Sequence, residues 1–182
     1  MKLNYPNYGK KTSVNRQVNK EFIEDNLVIR PFRQSDISTI FFLIKRLAMD
    51  QGRIHEFKND PNNFKNIFSN SPLSINVIMA EYNETAIGIC LYFFSFSTWR
   101  GETGIYIQDL FVESQYRQNK IGKKLVDRAM IEGSNKGATY LRLAVNSQNK
   151  TAQSFYSSLG LTAVPNDIIY AAYGRIFKKL RD

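Results

Sequence analysis

The spacing of apolar residues along this chain changes repeatedly between a helical and an extended period, and each change marks a predicted element. After Ser35, a candidate N-cap, apolar residues recur every three to four positions as far as Ala48. The same spacing predicts three further helices. The predicted helices therefore cover about residues 37–48, 62–68, 121–133 and 151–159.

Extended periods separate the predicted helices. Predicted strands cover residues 26–33, 74–80, 86–97, 105–112 and 141–145, and two more lie within 161–179 around the turn at 165–167. Pro31 places the first strand at a sheet edge or strand end. The strands from 74 to 112 are joined by turns too short for crossovers, so they form an antiparallel meander.

One connection between strands is long enough to contain a helix. The strand that ends at Val112 is followed by the helix 121–133 and then by the strand 141–145, so these two strands are predicted to be parallel neighbours. The fold class is therefore α/β, with a mixed sheet that is mostly antiparallel, one parallel pair, and about four flanking helices.

Length and charge refine this picture. The 182 residues fit one domain, and the formal net charge is +9. Residues 1–24 carry five basic side chains and no acid up to Lys20, which predicts a flexible N-terminal arm before a single domain at 25–182. The remaining charge is spread, with a basic cluster between Arg117 and Lys124 that fits an anionic small ligand as well as a nucleic acid.

Several kinds of chemistry find little support in the composition. Cys90, the single cysteine, lies in an apolar run and is predicted to be a core residue, so the chain suits a reducing compartment and a cytoplasmic location. His55 is the single histidine, and nothing near it suggests a metal site or a Ser–His–Asp triad. No apolar run approaches the length of a membrane span.

The segment from Gln108 to Lys124 carries the most specific chemistry. An apolar strand ends in a polar loop, which opens into a basic amphipathic helix. The first N–H groups of a helix lack intrahelical partners and attract anions, so this helix start can hold a phosphate. The alternative is an ordinary helix start in which Gly122 eases a turn and the lysines face solvent.

The order of elements and this loop together resemble the GCN5-related N-acetyltransferase (GNAT) superfamily. The family loop is Gln/Arg-x-x-Gly-x-Gly/Ala, and this chain has Arg117-Gln118-Asn119-Lys120-Ile121-Gly122. The last glycine matches, whereas Lys120 replaces the first one and either adds a phosphate contact or displaces the loop. The resemblance covers about residues 80–173 and implies the GNAT fold.

The resemblance also implies a ligand and a catalytic acid. The ligand is acetyl-coenzyme A as co-substrate, with no metal, and the acid is the Tyr156 phenol, which protonates the leaving thiolate. Asn149 and Tyr156 are seven residues apart and share one helix face. The implied cofactor-binding residues are Leu110, Phe111, Val112, Arg117, Gln118, Asn119, Lys120, Ile121, Gly122, Lys123, Asn149, Ala152 and Tyr156.

The segment from Trp99 to Val112 resembles the diamine (spermidine/spermine) acetyltransferase branch, which has a Trp-x-Gly turn followed by Tyr-Leu-Glu-Asp. That resemblance implies a substrate site containing Trp99, Gln108 and Asp109. The branch uses the Glu as a base acting through water, but this chain has Gln108 there, and an amide accepts no proton at neutral pH.

The group that replaces this base is left open between three acids. Asp109 is the first candidate, either as base or as a contact to the substrate ammonium, and Glu81 and Glu102 are the others. Alternatively, Asp109 is paired with an arginine or held by backbone N–H groups. Strict alternation places Asp109 on one face with Ile105 and Ile107, and a β-bulge would change that. Candidates to line an amine pocket are Tyr82, Trp99, Tyr106, Tyr170 and Tyr173.

The expected function is transfer of an acetyl group from acetyl-CoA to a primary amine of a small molecule, either diamine-like or amino-acid-like. A protein N-terminus or lysine is the alternative acceptor. A basic nucleic-acid-binding module is the alternative of another class, although no recognised nucleic-acid motif appears. The family resemblance also suggests a homodimer.

Overall fold

Five strands form one mixed sheet in the structure, a computed structural model that describes residues 25–70, 74–164 and 168–181. The strands are β1 (Leu27–Pro31), β2 (Asn76–Tyr82), β3 (Thr85–Ser97), β4 (Glu102–Val112) and β5 (Ala138–Leu143). Their order in the sheet is the order in the chain. Neighbouring strands from β1 to β4 are antiparallel, and β4 and β5 are parallel. The predicted meander, the single parallel pair and the edge position of β1 are confirmed.

The described residues contain five α-helices. These are α1 (Ile37–Asp50), α2 (Pro61–Asn70), α3 (Ile121–Ser134), α4 (Lys150–Ser158) and α5 (Arg175–Arg181). The first four are the predicted helices. The predicted N-cap at Ser35 is wrong, because Ser35 lies inside a short 3-10 turn, Gln34–Asp36. The carboxylate of Asp36 accepts the main-chain N–H of Arg33 at 2.6 Å, so an acid one position later organises this start.

Helices cover the sheet on both faces. On one face, Ile40 and Leu43 of α1 and Phe64 of α2 pack with Ile89, Leu91 and Phe111 of the sheet. On the other face, Leu125, Val126 and Ala129 of α3 are fully buried. Cys90 is also fully buried, and burial raises the pKa of its thiol to about 12, which confirms a core residue.

The chain divides into two compact units, one ending at Ala144 and the other beginning at Val145. The first contains the sheet and α1 to α3, and the second contains α4 and α5. The predicted fifth strand at 141–145 was placed too late, since β5 runs from Ala138 to Leu143. The division into an arm and one domain stays a prediction, and the residues of the arm lie outside those described.

The two strands predicted within 161–179 are wrong for the residues that the structure describes. Residues 161–164 and 168–173 have no strand partner, and α5 follows them. Ile169 and Tyr170 are largely exposed, so no second strand is present to bury a face. Short apolar runs fit strand and helix alike, and an unpaired strand gains no ladder. The predicted turn at 165–167 lies outside the described residues.

Gly88 in β3 allows close contact between the two longest strands. A Cβ built on Gly88 would lie 2.7 Å from the main-chain oxygen of Phe111. Because backbone does not move aside as a side chain does, we expect Gly88→Ala to lower the free energy of unfolding by about 1–3 kcal/mol. Thermal unfolding should show a Tm lower by about 3–10 °C. An unchanged Tm would show that β3 and β4 can move apart at this position without loss of stability.

Candidate active site

The second half of β4 has an open backbone edge. Pairing between β4 and β5 ends at Ile107 and Leu143, whereas β4 continues to Val112. The N–H of Glu113 donates to the oxygen of Ile87 at 2.9 Å, and hydrogen-bonded pairs alternate along an antiparallel ladder. The polar main-chain groups of Leu110 and Val112 therefore point away from β3. Within the described residues no strand covers them.

A β-bulge at Gln108 marks the point where this open edge begins. Asp109 is opposite Leu91, but the next pair joins Ile107 to Tyr92, so Gln108 is the extra residue of β4. The bulge shifts the alternation by one position. Before it, Ile105 faces Gly133 of α3. After it, Phe111 belongs to the core against α1 and α2.

Asp109 therefore lies on the face of the sheet covered by α1 and α2. The prediction from strict alternation, which grouped Asp109 with Ile105 and Ile107, is wrong because of the bulge. Asp109 is partly buried, and this burial raises the pKa of its carboxyl from 3.8 to about 6. No hydrogen bond or ion pair reaches the carboxylate from any described residue, so the arginine-paired alternative finds no support. Gln108 beside it is exposed.

The two other candidate bases are engaged elsewhere. Glu81 accepts hydrogen bonds from the Arg30 guanidinium, including one from Nε at 3.0 Å. Arg30 also binds Asp36 at 2.7 Å, and the pKa of Arg30 is raised first by Asp36 and then by Glu81. Glu102 lies at the start of β4, 3.9 Å from Arg100, far along the strand from the open edge. Of the three candidates, Asp109 is thus the one on the part of β4 that has the open edge.

The loop after β4 has the backbone of a glycine-rich loop without the glycines. Gln118 and Lys120 both have left-handed backbones, with φ of 67° and 58°. Such a conformation costs a non-glycine residue about 1–2 kcal/mol. Lys120 therefore holds a conformation that glycine adopts without steric cost. The amide of Asn119 donates to the carbonyls of Tyr116 and Arg117, each at 3.1 Å, and turns them inward.

The helix that follows begins without a cap. No side chain of a described residue caps the N-terminus of α3, and its first turn contains no acid. The first helical hydrogen bond runs from the N–H of Lys124 to the oxygen of Lys120, at 3.0 Å. The N–H groups of Ile121, Gly122 and Lys123 are consequently open to an anion. The side chain of Lys123 meets Asp127 one turn later, at 2.6 Å.

Arg117 connects the loop to the rest of the first unit. Its Nε donates to the oxygen of Val112 at 2.9 Å, and a terminal nitrogen donates to Asp50 at 2.8 Å. The guanidinium also lies over the ring of Phe111, 5.9 Å from its centre. The family resemblance implies a cofactor contact for Arg117, which stays a prediction. The sequence does not indicate its partner Asp50, because helical spacing does not say which loop a surface carboxylate contacts.

The second unit contains Asn149, Ala152 and Tyr156. Asn149 is the N-cap of α4, and its side-chain oxygen accepts the N–H of Ala152 at 3.0 Å. This bond fixes the orientation of the Asn149 amide and leaves its NH₂ group pointing away from the helix N–H groups. Tyr156 is half-buried on α4, with its ring 5.1 Å from that of Phe155.

The aromatic residues predicted for an amine pocket belong to both units, and those of the first unit are dispersed. Trp99 is 99% exposed at the turn between β3 and β4, about 20 Å along β4 from Asp109 at the usual rise per residue. Tyr82 contacts Tyr116 near the loop, at 5.7 Å between ring centres. Tyr106 is partly buried on β4. Tyr170 and Tyr173 are exposed in the second unit. A role for Trp99 in substrate binding stays a prediction.

The described residues form neither a metal site nor a membrane-spanning helix. Among residues 25–70, 74–164 and 168–181, no group of three His, Cys, Asp or Glu side chains is arranged to hold a metal ion. In the same residues, every helix is too short or too polar to cross a bilayer.

Comparison with known proteins gives a family. Residues 41–161 match the family described as Acetyltransferase (GNAT) family. A thialysine N-epsilon-acetyltransferase of Bos taurus is 32% identical over 142 residues, which cover 74% of this chain and 83% of that protein. Its counterpart in Mus musculus is 32% identical over 141 residues, 72% of this chain and 82% of that one.

Solved structures share the fold. An integron cassette protein of V. cholerae superposes with a TM-score of 0.70 at 22% identity, covering 86% of this chain and 98% of its own. An aminoglycoside acetyltransferase from an uncultured soil metagenomic sample gives a TM-score of 0.69 at 21% identity, covering 84% and 98%. The predicted fold is confirmed, and the amine-acetylating relatives agree with the predicted branch.

Proposed function

The chain belongs to the acetyltransferase (GNAT) family, and we propose that it transfers the acetyl group of acetyl-CoA to a primary amine of a small, lysine-like molecule. The family establishes an acetyl-transferring enzyme. The acceptor, the acid and the base are inferences from the residues described above.

One observation carries the proposal: the open edge of β4 leads directly into the uncapped start of α3. Leu110 and Val112 present main-chain groups that suit an extended, amide-containing chain, as an added strand would. The first turn of α3 and Lys120 then offer N–H groups and positive charge to a diphosphate. Both features fit coenzyme A, which has an amide-containing arm attached to a diphosphate.

Asp109 is proposed as the group that receives the proton of the acceptor. A primary ammonium ion must lose a proton before its nitrogen can form a bond to carbon. The Asp109 carboxylate has a pKa of about 6, is ionised at neutral pH, and has no competing cation among the described residues. Through a water molecule or directly, it can hold an ammonium and accept its proton.

Tyr156 is proposed as the group that supplies a proton to the departing thiolate. Acetyl-CoA, when bound, supplies an acetyl group activated as a thioester, and the thiolate that leaves is moderately basic. A phenol is matched to such a thiol in acidity, and Tyr156 Oη is the proton source that the family resemblance implies. Asn149, whose amide is oriented by the helix cap, is proposed to donate to the cofactor arm. The outward N–H of Leu110 is available to a developing oxyanion.

The acceptor class follows from the amine and from the relatives. The relatives with more than 30% identity are named for acetylating the side-chain amine of thialysine. Gln108 stands where the diamine branch has its glutamate, so the acceptor site of this chain has one acid fewer to bind a polycation than the site of that branch. We therefore place a lysine-like amino acid ahead of polyamines, and a protein lysine or N-terminus remains the alternative acceptor.

Binding of acetyl-CoA is the first test. At a concentration one hundred times the Kd, we expect stabilisation by about 2.7 kcal/mol, which raises the Tm by about 5–10 °C. Thialysine, lysine, spermidine, an aminoglycoside and a lysine-containing peptide should then be compared by kcat/KM. The highest value for thialysine or lysine is expected. Absence of stabilisation at millimolar acetyl-CoA would refute the proposed function, whereas a peptide preference would change the acceptor alone.

A further inference from the structure

Two ion pairs join the last turns of α1 to the loop between β4 and α3. Arg46 donates to Glu113 at 2.7 Å, and Asp50 accepts from Arg117 at 2.8 Å. Arg46 and Asp50 are four residues apart and share one face of α1. Glu113 and Arg117 flank the 3-10 turn Ser114–Tyr116. These four residues are called the α1–loop ion pairs.

The order of charges specifies the alignment of helix and loop. Along α1 the order is positive then negative, and along the loop it is negative then positive. The observed pairing joins opposite charges in both cases, whereas the exchanged pairing would bring two arginines and two carboxylates together. Like charges at contact are repulsive, so a single alignment is favoured.

The two ion pairs lie beside an open pocket. A cavity of about 310 Å³ lies between the helix end and the strand end, lined by Arg46, Met49, Asp50, Phe111, Glu113 and Ser114. Beside this pocket the ion pairs connect the end of α1 to the loop, whereas Ile40 and Leu43 earlier in α1 belong with Phe111 to the hydrophobic core. Arg117 extends the connection to β4 through the oxygen of Val112 and the ring of Phe111.

The loop needs such a connection because its backbone is strained. Gln118 and Lys120 hold left-handed conformations that glycine would adopt without cost. Conformations of this kind persist when the surrounding structure determines them. The residue that precedes Gln118 is Arg117, which is held at three points.

We propose that Asp50 and Glu113 are positioning residues for coenzyme A. Asp50 acts through Arg117 and Glu113 through its pair with Arg46, and together they hold the loop backbone so that the N–H groups of α3 are ready for the diphosphate. This inference rests on the proposed function. It assigns the last turns of α1 a part in cofactor affinity.

The sign of the effect separates positioning from simple electrostatics. Removing a carboxylate beside a site for a polyanion should tighten binding if charge alone matters. The inference predicts the opposite: Asp50→Asn and Glu113→Gln should each weaken coenzyme A binding by about 3- to 10-fold. Asp50→Glu, which keeps the charge and can still reach Arg117, should stay within about 2-fold of the unmodified protein.

The measurement is titration calorimetry with coenzyme A, together with kcat and acetyl-CoA KM for each variant. Glu56→Gln is the matched control, because Glu56 pairs with Arg53 at 2.5 Å beyond the end of α1 and does not touch the loop. We expect a higher KM with kcat changed less than about 2-fold. The Tm without ligand shows that each variant is folded.

Two results would overturn the inference. One is unchanged or tighter coenzyme A binding by both Asp50→Asn and Glu113→Gln. The other is a lower Tm in these variants with affinity equal to that of Glu56→Gln, which would make the ion pairs structural only. If the unmodified protein fails to bind coenzyme A, the proposed function fails. If the unmodified protein binds it and the variants bind it equally well, only this inference fails.

Discussion

Asp109→Asn is expected to lower kcat/KM for the amine by about 100- to 1,000-fold, the usual contribution of a positioned base. Asparagine has nearly the same shape but accepts no proton, so the fold and cofactor affinity should be preserved. Glu102→Gln is the matched control, because Glu102 is another acid of the same strand and lies beside Arg100. Its kcat/KM should change less than about 2-fold.

The pH dependence supplies a second measure of the same residue. Burial raises the pKa of Asp109 to about 6, and the ionised form is the one that accepts a proton. Activity should therefore rise with pH through about 6, and this inflection should disappear in Asp109→Asn. A profile that keeps the inflection in the variant would assign it to another group.

The stability of Asp109→Asn should change in the opposite direction from its activity. The folded carboxyl has a pKa of about 6 against 3.8 unperturbed, so the native state of the unmodified protein loses stability as pH rises from about 4 to 6. This difference corresponds to about 3 kcal/mol, and partial solvent contact reduces it to about 1–2 kcal/mol. Asp109→Asn should thus have a higher Tm than the unmodified protein at pH 7, and the same stability as the unmodified protein at pH 4. Full activity with unchanged stability would remove Asp109 from the site.

Tyr156→Phe is expected to lower kcat by about 10- to 100-fold while the affinity for coenzyme A changes less than about 2-fold. The variant keeps the ring beside Phe155 and removes only the hydroxyl, so the helix should pack as before. Initial rates at saturating acetyl-CoA and titration calorimetry check the two quantities separately.

Tyr140→Phe serves as the comparison for Tyr156→Phe. Tyr140 lies on β5, where its hydroxyl is 3.2 Å from that of Ser95, away from the open part of β4. Removal of the Tyr140 hydroxyl should leave kcat within about 2-fold of the value for the unmodified protein. A Tyr156→Phe enzyme with the kcat of this control would show that the departing thiol takes its proton from another source.

Much of the sheet could be predicted because local signals and connection lengths agree. The turns between β2, β3 and β4 permit antiparallel pairing only, and the crossover through α3 requires β4 and β5 to be parallel. The prediction of strands in the C-terminal segment is wrong because apolar residues such as Ile169 and Tyr170 suggest a strand, while a strand is stable only if another strand pairs with it.

The sequence predicts the residue types of the candidate site but not their geometry. The loop from Arg117 to Gly122 was found from its pattern, yet nothing in the pattern shows that Lys120 adopts the backbone of a glycine. Asp109 was recognised as a candidate, but its face depends on the bulge at Gln108, which is set by pairing with β3. Asp50 was missed because its role depends on a contact with a residue far away in sequence.

Acetyl transfer itself tests the central claim most directly. The unmodified protein should be incubated with acetyl-CoA and a panel of primary amines, and thiol release should be measured together with the mass and acetylation site of the product. We expect release of coenzyme A in equal amount to an amine acetylated at its side-chain nitrogen, at a rate about 100-fold lower or more in Asp109→Asn. Thiol release no faster than in the absence of amine, for every amine tested with folded protein, would contradict it.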